Sequence, residues 1–291
     1  MKLPNYITPK ALNSFIVSSL LEDIGDGDHT SLACIPKTLT KTAKLLVKEN
    51  GVIAGVELAK LIFKIVDKNL TYSILKNDGS TVKKGDVVLT VNGSAQSILK
   101  AERLVLNCMQ RMSGIATTTA TLTAFCKKNN VKLLDTRKTT PGFRMMEKWA
   151  VAIGGGVNHR FGLFDMILIK DNHIDYCGSI TKAIKSSVDY LKKKNKKIKI
   201  EVEVRSLNDV QEVLSCGYKV DRILLDNFSP KEITQAVKLI NKRIPTEASG
   251  NINAKNLASY AKTGVNYISM GALTHSIKSL DLSLKATANA K

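Results

Sequence analysis

Apolar residues recur along this chain in two rhythms, and the change from one to the other divides it. Leu12, Phe15, Ile16, Leu20 and Leu21 follow Pro9 at helical spacing and predict a helix with these residues on or near one face. Ala43 to Lys48 reads as a strand, Val56 to Asp67 as a helix and Tyr72 to Leu75 as another strand. The glycines and alternating apolar residues from Asn77 to Val88 mark tight β turns. Ala101 to Lys128 is helical in pattern, with an interruption expected near Ser113-Gly114. From Val131 onward short apolar runs alternate with amphipathic segments. Strands are expected to end at Asp135, Lys170, Glu203, Asp226, Ser249 and Met270. Helices are expected over 142–154, 179–194, 207–216, 230–242 and 253–262. Six strands alternating with helices predict an α/β fold with a parallel sheet, doubly wound or closed toward a barrel. Too little chain follows Met270 for two more β/α units, so an eight-fold barrel is excluded and a smaller or open one fits.

The ends of those strands carry the chemistry. The run Leu133-Leu134 stops on Asp135-Thr136-Arg137-Lys138, and Met166 to Ile169 stops on Lys170-Asp171-Asn172-His173. Between them lie Gly154-Gly155-Gly156 and the pair His159-Arg160. In a parallel sheet the carboxyl ends of the strands converge on one rim, where ligands bind. Arg137, Lys138, His159, Arg160 and Lys170 would then share a small volume, and that much positive charge calls for an anion. Glu203 and Asp226 close neighbouring strands. They suit either a divalent cation and ribose hydroxyls or structural ion pairs with the cations. Ser249-Gly250-Asn251 and Met270-Gly271-Ala272 each precede an expected helix. A glycine there lets an anion approach the backbone, and a helix N-terminus favours negative charge. His275 is a lone histidine, Arg103 reads as a surface salt-bridge residue, and Trp149 and Phe143 read as core.

Composition narrows the field. The 291 residues suffice for two domains. The net charge of +19, from 44 basic and 25 acidic residues, admits nucleic acid or small anions as partners. The densest basic run, Lys192 to Lys199, lacks interleaved aromatics, and a solvated surface is the better reading; no nucleic-acid partner is expected. The five cysteines, Cys34, Cys108, Cys126, Cys177 and Cys216, form no C-x-x-C pair, which argues against zinc and dithiol chemistry and suits reduced thiols in a cytoplasm. Asp26-Gly27-Asp28 fails as a calcium loop, because Lys37 stands where its bidentate glutamate belongs. A turn with a helix cap is expected instead. The segment from 77 to 88 resembles a swinging-arm carrier hairpin, but no lysine stands at its tip. The N-terminal stretch reads as neither a signal peptide nor a membrane span.

The motifs 135–142 (DTRKTTPG), 154–160 (GGGVNHR), 168–173 (LIKDNH), 201–204 (EVEV), 225–227 (LDN) and 249–251 (SGN), in this order, closely resemble the quinolinate phosphoribosyltransferase family. The resemblance implies an N-terminal α/β sandwich domain, residues 1–115, and a C-terminal open barrel of about six parallel strands, residues 116–275, of the type II phosphoribosyltransferase kind. Residues 276–291 would be a tail able to pack with the first domain. It implies transfer of phosphoribosyl from phosphoribosyl pyrophosphate to quinolinate with decarboxylation, giving nicotinate mononucleotide for NAD synthesis, with Mg²⁺. It implies a homodimer, or an oligomer of dimers, with shared active sites. By position, Arg137, His159, Arg160 and Lys170 would bind the two carboxylates, with Arg103 donated by the partner subunit. Lys138 and Lys170 would contact the phosphoribosyl group or its pyrophosphate, and Glu203 and Asp226 the ribose and, directly or through substrate or water, the metal. Lys138, Lys170, Glu203 and Asp226 are the residues expected to act in catalysis. Ser249, Gly250, Asn251 and Gly271 would hold the 5′-phosphate, with His275 nearby. A transferase using a monocarboxylate such as nicotinate is the rival within this fold; it would need fewer cations.

Overall fold

The computed structural model describes residues 4–287 and falls into two compact units. One takes in the described residues up to Ala120 together with Thr139–Gly155 and those from Thr274 onward; the other comprises Thr121–Lys138 and Gly156–Leu273.

The first unit opens with α1 (Pro9–Ile24) and α2 (His29–Cys34), followed by β1 (Thr40–Val47), β2 (Gly51–Val52), α3 (Val56–Val66), β3 (Thr71–Ile74), β4 (Thr81–Val82) and β5 (Val87–Ser94). Leu12, Ile16 and Leu20 bury one stripe of α1, whereas Leu21 is exposed on its other side. Asp28 caps α2 by accepting the Ser31 N–H at 3.0 Å, the helix cap expected of this acidic turn. β1, β3 and β5 belong to an antiparallel sheet in the order β12-β1-β5-β3, with β2 and β4 paired beside it. Its fourth member, β12 (Leu282–Ala286), pairs with β1 from Ala43↔Ala286 to Val47↔Leu282.

α4 (Ala95–Lys127) is one continuous helix of 33 residues, and the expected interruption at Ser113-Gly114 does not occur. Both residues serve contacts between segments instead. The Ser113 hydroxyl accepts the Ala54 N–H at 2.9 Å, and a Cβ on Gly114 would collide with the Lys278 carbonyl oxygen. Packing therefore overrides the low helix propensity of glycine. In α5 (Arg144–Ile153) Trp149 is buried, in line with its core reading. The buried carboxylate of Glu147 accepts hydrogen bonds from Arg111 at 2.8 and 3.1 Å and from Thr140.

The second unit is a six-stranded parallel sheet in the order β6-β11-β10-β9-β8-β7. Its strands are β6 (Lys132–Leu134), β7 (Met166–Ile169), β8 (Lys199–Val204), β9 (Arg222–Asp226), β10 (Thr246–Ser249) and β11 (Tyr267–Ser269). The order is cyclic apart from one missing partnership: β6 and β7 are both edges, so the barrel is open. Between strands run α6 (Asp171–Cys177), α7 (Ile180–Lys193), α8 (Leu207–Ser215), α9 (Pro230–Ile240) and α10 (Leu257–Ala261). Ser179, Ser206 and Ser229 cap α7, α8 and α9 through their hydroxyls. α6 starts immediately after β7 and was not foreseen; α10 is shorter than its apolar pattern suggested. α11 (Ala272–His275) follows β11. No helix among the described residues is long and apolar enough to cross a membrane.

Candidate active site

The parallel sheet brings three groups of expected site residues to the carboxyl ends of its strands. The first is cationic. Arg137 follows β6, and Arg160 lies in the segment before β7, its Nη1 donating to the Met166 carbonyl at 3.2 Å. Burial, and then the nearby Arg137 guanidinium, holds the Arg160 pKa below the usual guanidinium value. Two half-buried arginines close enough to feel each other's charge form a ready seat for carboxylates, each fork matching two oxygens. Lys138 is exposed beside them, its backbone N–H on Thr136 Oγ1.

The second group is mixed in sign. Lys170 Nζ donates to Glu203 Oε2 at 2.8 Å. Asp226, at the end of the adjoining β9, has its pKa raised by burial and then by Glu203, while Lys170 and Asn227 act in the opposite sense. Two carboxylates that repel each other beside a single lysine fit a divalent cation, which would relieve that repulsion.

The third group is a chain of left-handed backbone turns. Asn227, Gly250 and Asn251 have φ of 58°, 94° and 52°. Asn227 links them: its N–H donates to the Ser249 carbonyl at 2.9 Å, its Nδ2 to Asp226 Oδ2 at 2.7 Å, and its Oδ1 accepts from Asn251 Nδ2 at 3.1 Å. A Cβ on Gly250 would lie 2.7 Å from the Asn227 nitrogen and nearer still to its Oδ1, so only glycine fits. The expected helix N-terminus is absent at this point, because α10 begins only at Leu257. The loop backbone, and not a helix dipole, is what an anion would meet here. Gly271 lies between β11 and the four-residue α11. Two expected residues lie in the first unit: Arg103, exposed on α4, and His275, exposed at the end of α11 with Nδ1 2.6 Å from Ser276 Oγ.

His159 is placed differently from its neighbours. Its ring turns inward, with Nε2 3.1 Å from Glu201 Oε2 and 3.6 Å from Glu247 Oε2, and its Nδ1 accepts the Arg160 N–H at 2.7 Å. Glu201 and Glu247 are fully buried, and Arg222 Nη1 reaches Glu247 at 2.6 Å and Glu201 at 3.8 Å. The Arg222 guanidinium also stacks 4.1 Å from the centroid of the Tyr267 ring. Burial is the main cause of raised pKa values on both acids, to about 7 at Glu247; their mutual repulsion adds to the Glu247 shift. The 2.6 Å bond from Arg222 acts in the opposite sense at Glu247, favouring its charged form. The histidine and the two acids could geometrically hold a metal ion, with donor atoms within 4.8 Å of one another. Arg222 already supplies the positive charge, so a buried charge network accounts for them. Glu247, Arg222 and Asn227 were not anticipated. The one available signal was the alternation of Glu201 with Glu203, which puts both on one face of β8.

Residues 28–113 match the N-terminal domain of quinolinate phosphoribosyl transferase, and residues 115–285 match its C-terminal domain. The chain is 47% identical over 288 residues to the chloroplastic nicotinate-nucleotide pyrophosphorylase (carboxylating) of Arabidopsis thaliana, covering 94% of this chain and 82% of that protein. It is 47% identical over 281 residues to the mitochondrial quinolinate phosphoribosyltransferase (decarboxylating) 2b of Nicotiana tabacum, covering 92% and 80%. The crystal structure of NadC from Streptococcus pyogenes superposes with a TM-score of 0.90 at 38% identity, over 98% of this chain and 100% of that one.

Proposed function

The chain belongs to the quinolinate phosphoribosyltransferase family, and from that premise we propose how its residues divide the work. The reaction moves the phosphoribosyl group of phosphoribosyl pyrophosphate onto quinolinate and yields nicotinate mononucleotide, pyrophosphate and CO₂. Arg137 and Arg160 take the two carboxylates of quinolinate, and Lys170 lies between this clamp and the sugar. The observation that supports the assignment is the half-buried pair Arg137 and Arg160 at the rim, whose mutual repulsion a dianion would relieve. His159 belongs to the same clamp. Lys138 and Lys170 contact the phosphoribosyl pyrophosphate or its leaving group, and the loops at Ser249-Gly250-Asn251 and Gly271, with His275, hold the 5′-phosphate.

The pyridine nitrogen attacks C1′ as the C1′–pyrophosphate bond breaks. Glu203 and Asp226 stabilise the positive charge that develops on the sugar. Loss of CO₂ then leaves its electron pair on the ring carbon beside the positively charged nitrogen, and a proton completes the product. Mg²⁺ would be held by Glu203 and Asp226, directly or through substrate or water, and would offset charge on the pyrophosphate.

Arg103 is proposed to act on the partner's site in a homodimer, or in an oligomer of dimers. Its exposure on α4 supports this role. The five free thiols support a reducing compartment such as the cytoplasm. Incubation with Mg²⁺, phosphoribosyl pyrophosphate and either quinolinate or nicotinate tests the clamp. CO₂ release from quinolinate, lost in Arg137→Ala, is expected; turnover of nicotinate alone would refute it. Mixing Arg103→Ala with Lys170→Ala subunits should regenerate activity if sites are shared, and no recovery after confirmed exchange would refute the sharing.

A further inference from the structure

Arg160 is held against a like charge, and such an arrangement requires a restraint. The segment from Asn158 to Arg160 has no regular secondary structure, so its restraint comes from side chains. Asp135, the residue after β6, grips it: Oδ2 accepts Asn158 Nδ2 at 2.6 Å, and Oδ1 accepts the His159 N–H at 2.8 Å. The His159 ring grips it from within. Because Nδ1 accepts the Arg160 N–H, the ring proton sits on Nε2, the nitrogen that lies 3.1 Å from Glu201 Oε2 and 3.6 Å from Glu247 Oε2. These acids lie on β8 and β10, the two strands that flank β9. Arg222, on β9 between them, ties the pair together. The ring is thus a strut running from the sheet interior to the peptide that carries Arg160.

We infer that Glu247 and Glu201, joined by Arg222, are positioning residues for quinolinate: they fix the His159 ring, which fixes the Arg160 peptide and so aims the Arg160 guanidinium. The inference rests on the clamp reading above and deepens it. His159 serves the clamp by holding Arg160 in place, and the acids never touch the substrate. A neutral hydrogen-bonding side chain of glutamate's shape can replace Glu247, because it still accepts from Arg222; an apolar one cannot, because it strips Arg222 of its 2.6 Å partner and loosens the pair that faces the His159 ring.

Steady-state kinetics with each substrate varied in turn separates this role from a merely structural one. Glu247→Leu is expected to raise the KM for quinolinate about tenfold and to leave that for phosphoribosyl pyrophosphate within about twofold, as for a misplaced binding group. Glu247→Gln is expected to restore the quinolinate KM to within about threefold of wild type. If Glu247→Leu does not fold, the charge-balanced Arg222→Met/Glu247→Leu variant carries the same expectation. Equal rises in both KM values, no rise in either, or no recovery with glutamine would overturn the inference. Arg160→Ala is the control. An unchanged quinolinate KM there would sink the clamp reading itself; a raised one beside a normal Glu247→Leu would sink only the positioning role.

Discussion

Replacing Gly250 by alanine is the sharpest test of how the rim is built. The residue has φ of 94°, outside the range that side chains tolerate, and alanine there costs about 1 kcal/mol in the backbone alone. The new Cβ would lie 2.7 Å from the Asn227 nitrogen and closer to its Oδ1, so Asn227 has to move. Moving it breaks its bonds to Asp226 Oδ2 and Asn251 Nδ2. The first, to a charged acceptor, contributes about 1.5 kcal/mol and the second about 0.5 to 1 kcal/mol. The expected loss is therefore on the order of 3 kcal/mol, measured by urea unfolding of the purified protein. The same displacement frees Asp226 and distorts the loop proposed to hold the 5′-phosphate, so the KM for phosphoribosyl pyrophosphate should rise about tenfold or more, with that for quinolinate less affected. Asn227→Ala/Gly250→Ala removes the collision as well as the bonds, and its loss should fall short of the sum of the two single losses. Stability within about 0.5 kcal/mol of wild type and an unchanged phosphoribosyl pyrophosphate KM in Gly250→Ala would refute the reasoning.

Glu247 makes stability depend on pH. Its folded pKa of about 7 exceeds the ordinary 4.5, so its contribution is full below about pH 4.5 and is lost as pH rises through 7. Relative to Glu247→Gln, the wild type should lose about 3 kcal/mol across that window in denaturant titrations; a constant difference would contradict the assignment. In the first unit, Arg111→Met leaves the buried Glu147 carboxylate without its cation and frees the Thr274 and Ile277 carbonyls that Arg111 also bonds, so a loss of about 3 kcal/mol in urea unfolding is expected. A loss under about 1 kcal/mol would refute the buried Arg111–Glu147 pair as a stabilising contact.

The rim was legible in the sequence because charged residues stop apolar runs there. Arg137, Lys170, Glu203 and Asp226 each stand at or just beyond a strand end, and the parallel sheet carries those ends to one side. The β/α rhythm announced a parallel sheet but left its doubly wound and barrel-like forms open, and the observed order is cyclic with one gap. The contacts were not legible. Ser113-Gly114 reads as a helix breaker unless the approach of the segment at Lys278 is known, more than 160 residues later in sequence than Gly114 and written in no local pattern. Glu247 lies in Thr246-Glu247-Ala248-Ser249, where nothing marks an acid as buried against a histidine from a loop and an arginine from another strand. Asn227 reads as an ordinary turn residue; its three bonds depend on the register of β9 with β10. Periodicity reports which way a side chain faces, and the partner it meets there is set by sheet register.

The pairing of β12 with β1 also sets an order of events during synthesis. Thr287 bonds Thr42, 245 residues earlier in the chain, so this sheet edge stays open until nearly all of the described chain has been made. At ribosomal speeds that wait is roughly 10 to 50 s. All six strands of the parallel sheet are made within that interval, so the second unit can fold first while β1 has neither β12 nor any substitute along one side. An uncovered strand edge of that age is a natural client for a chaperone, and shortening the chain before Leu282 would make the exposure permanent.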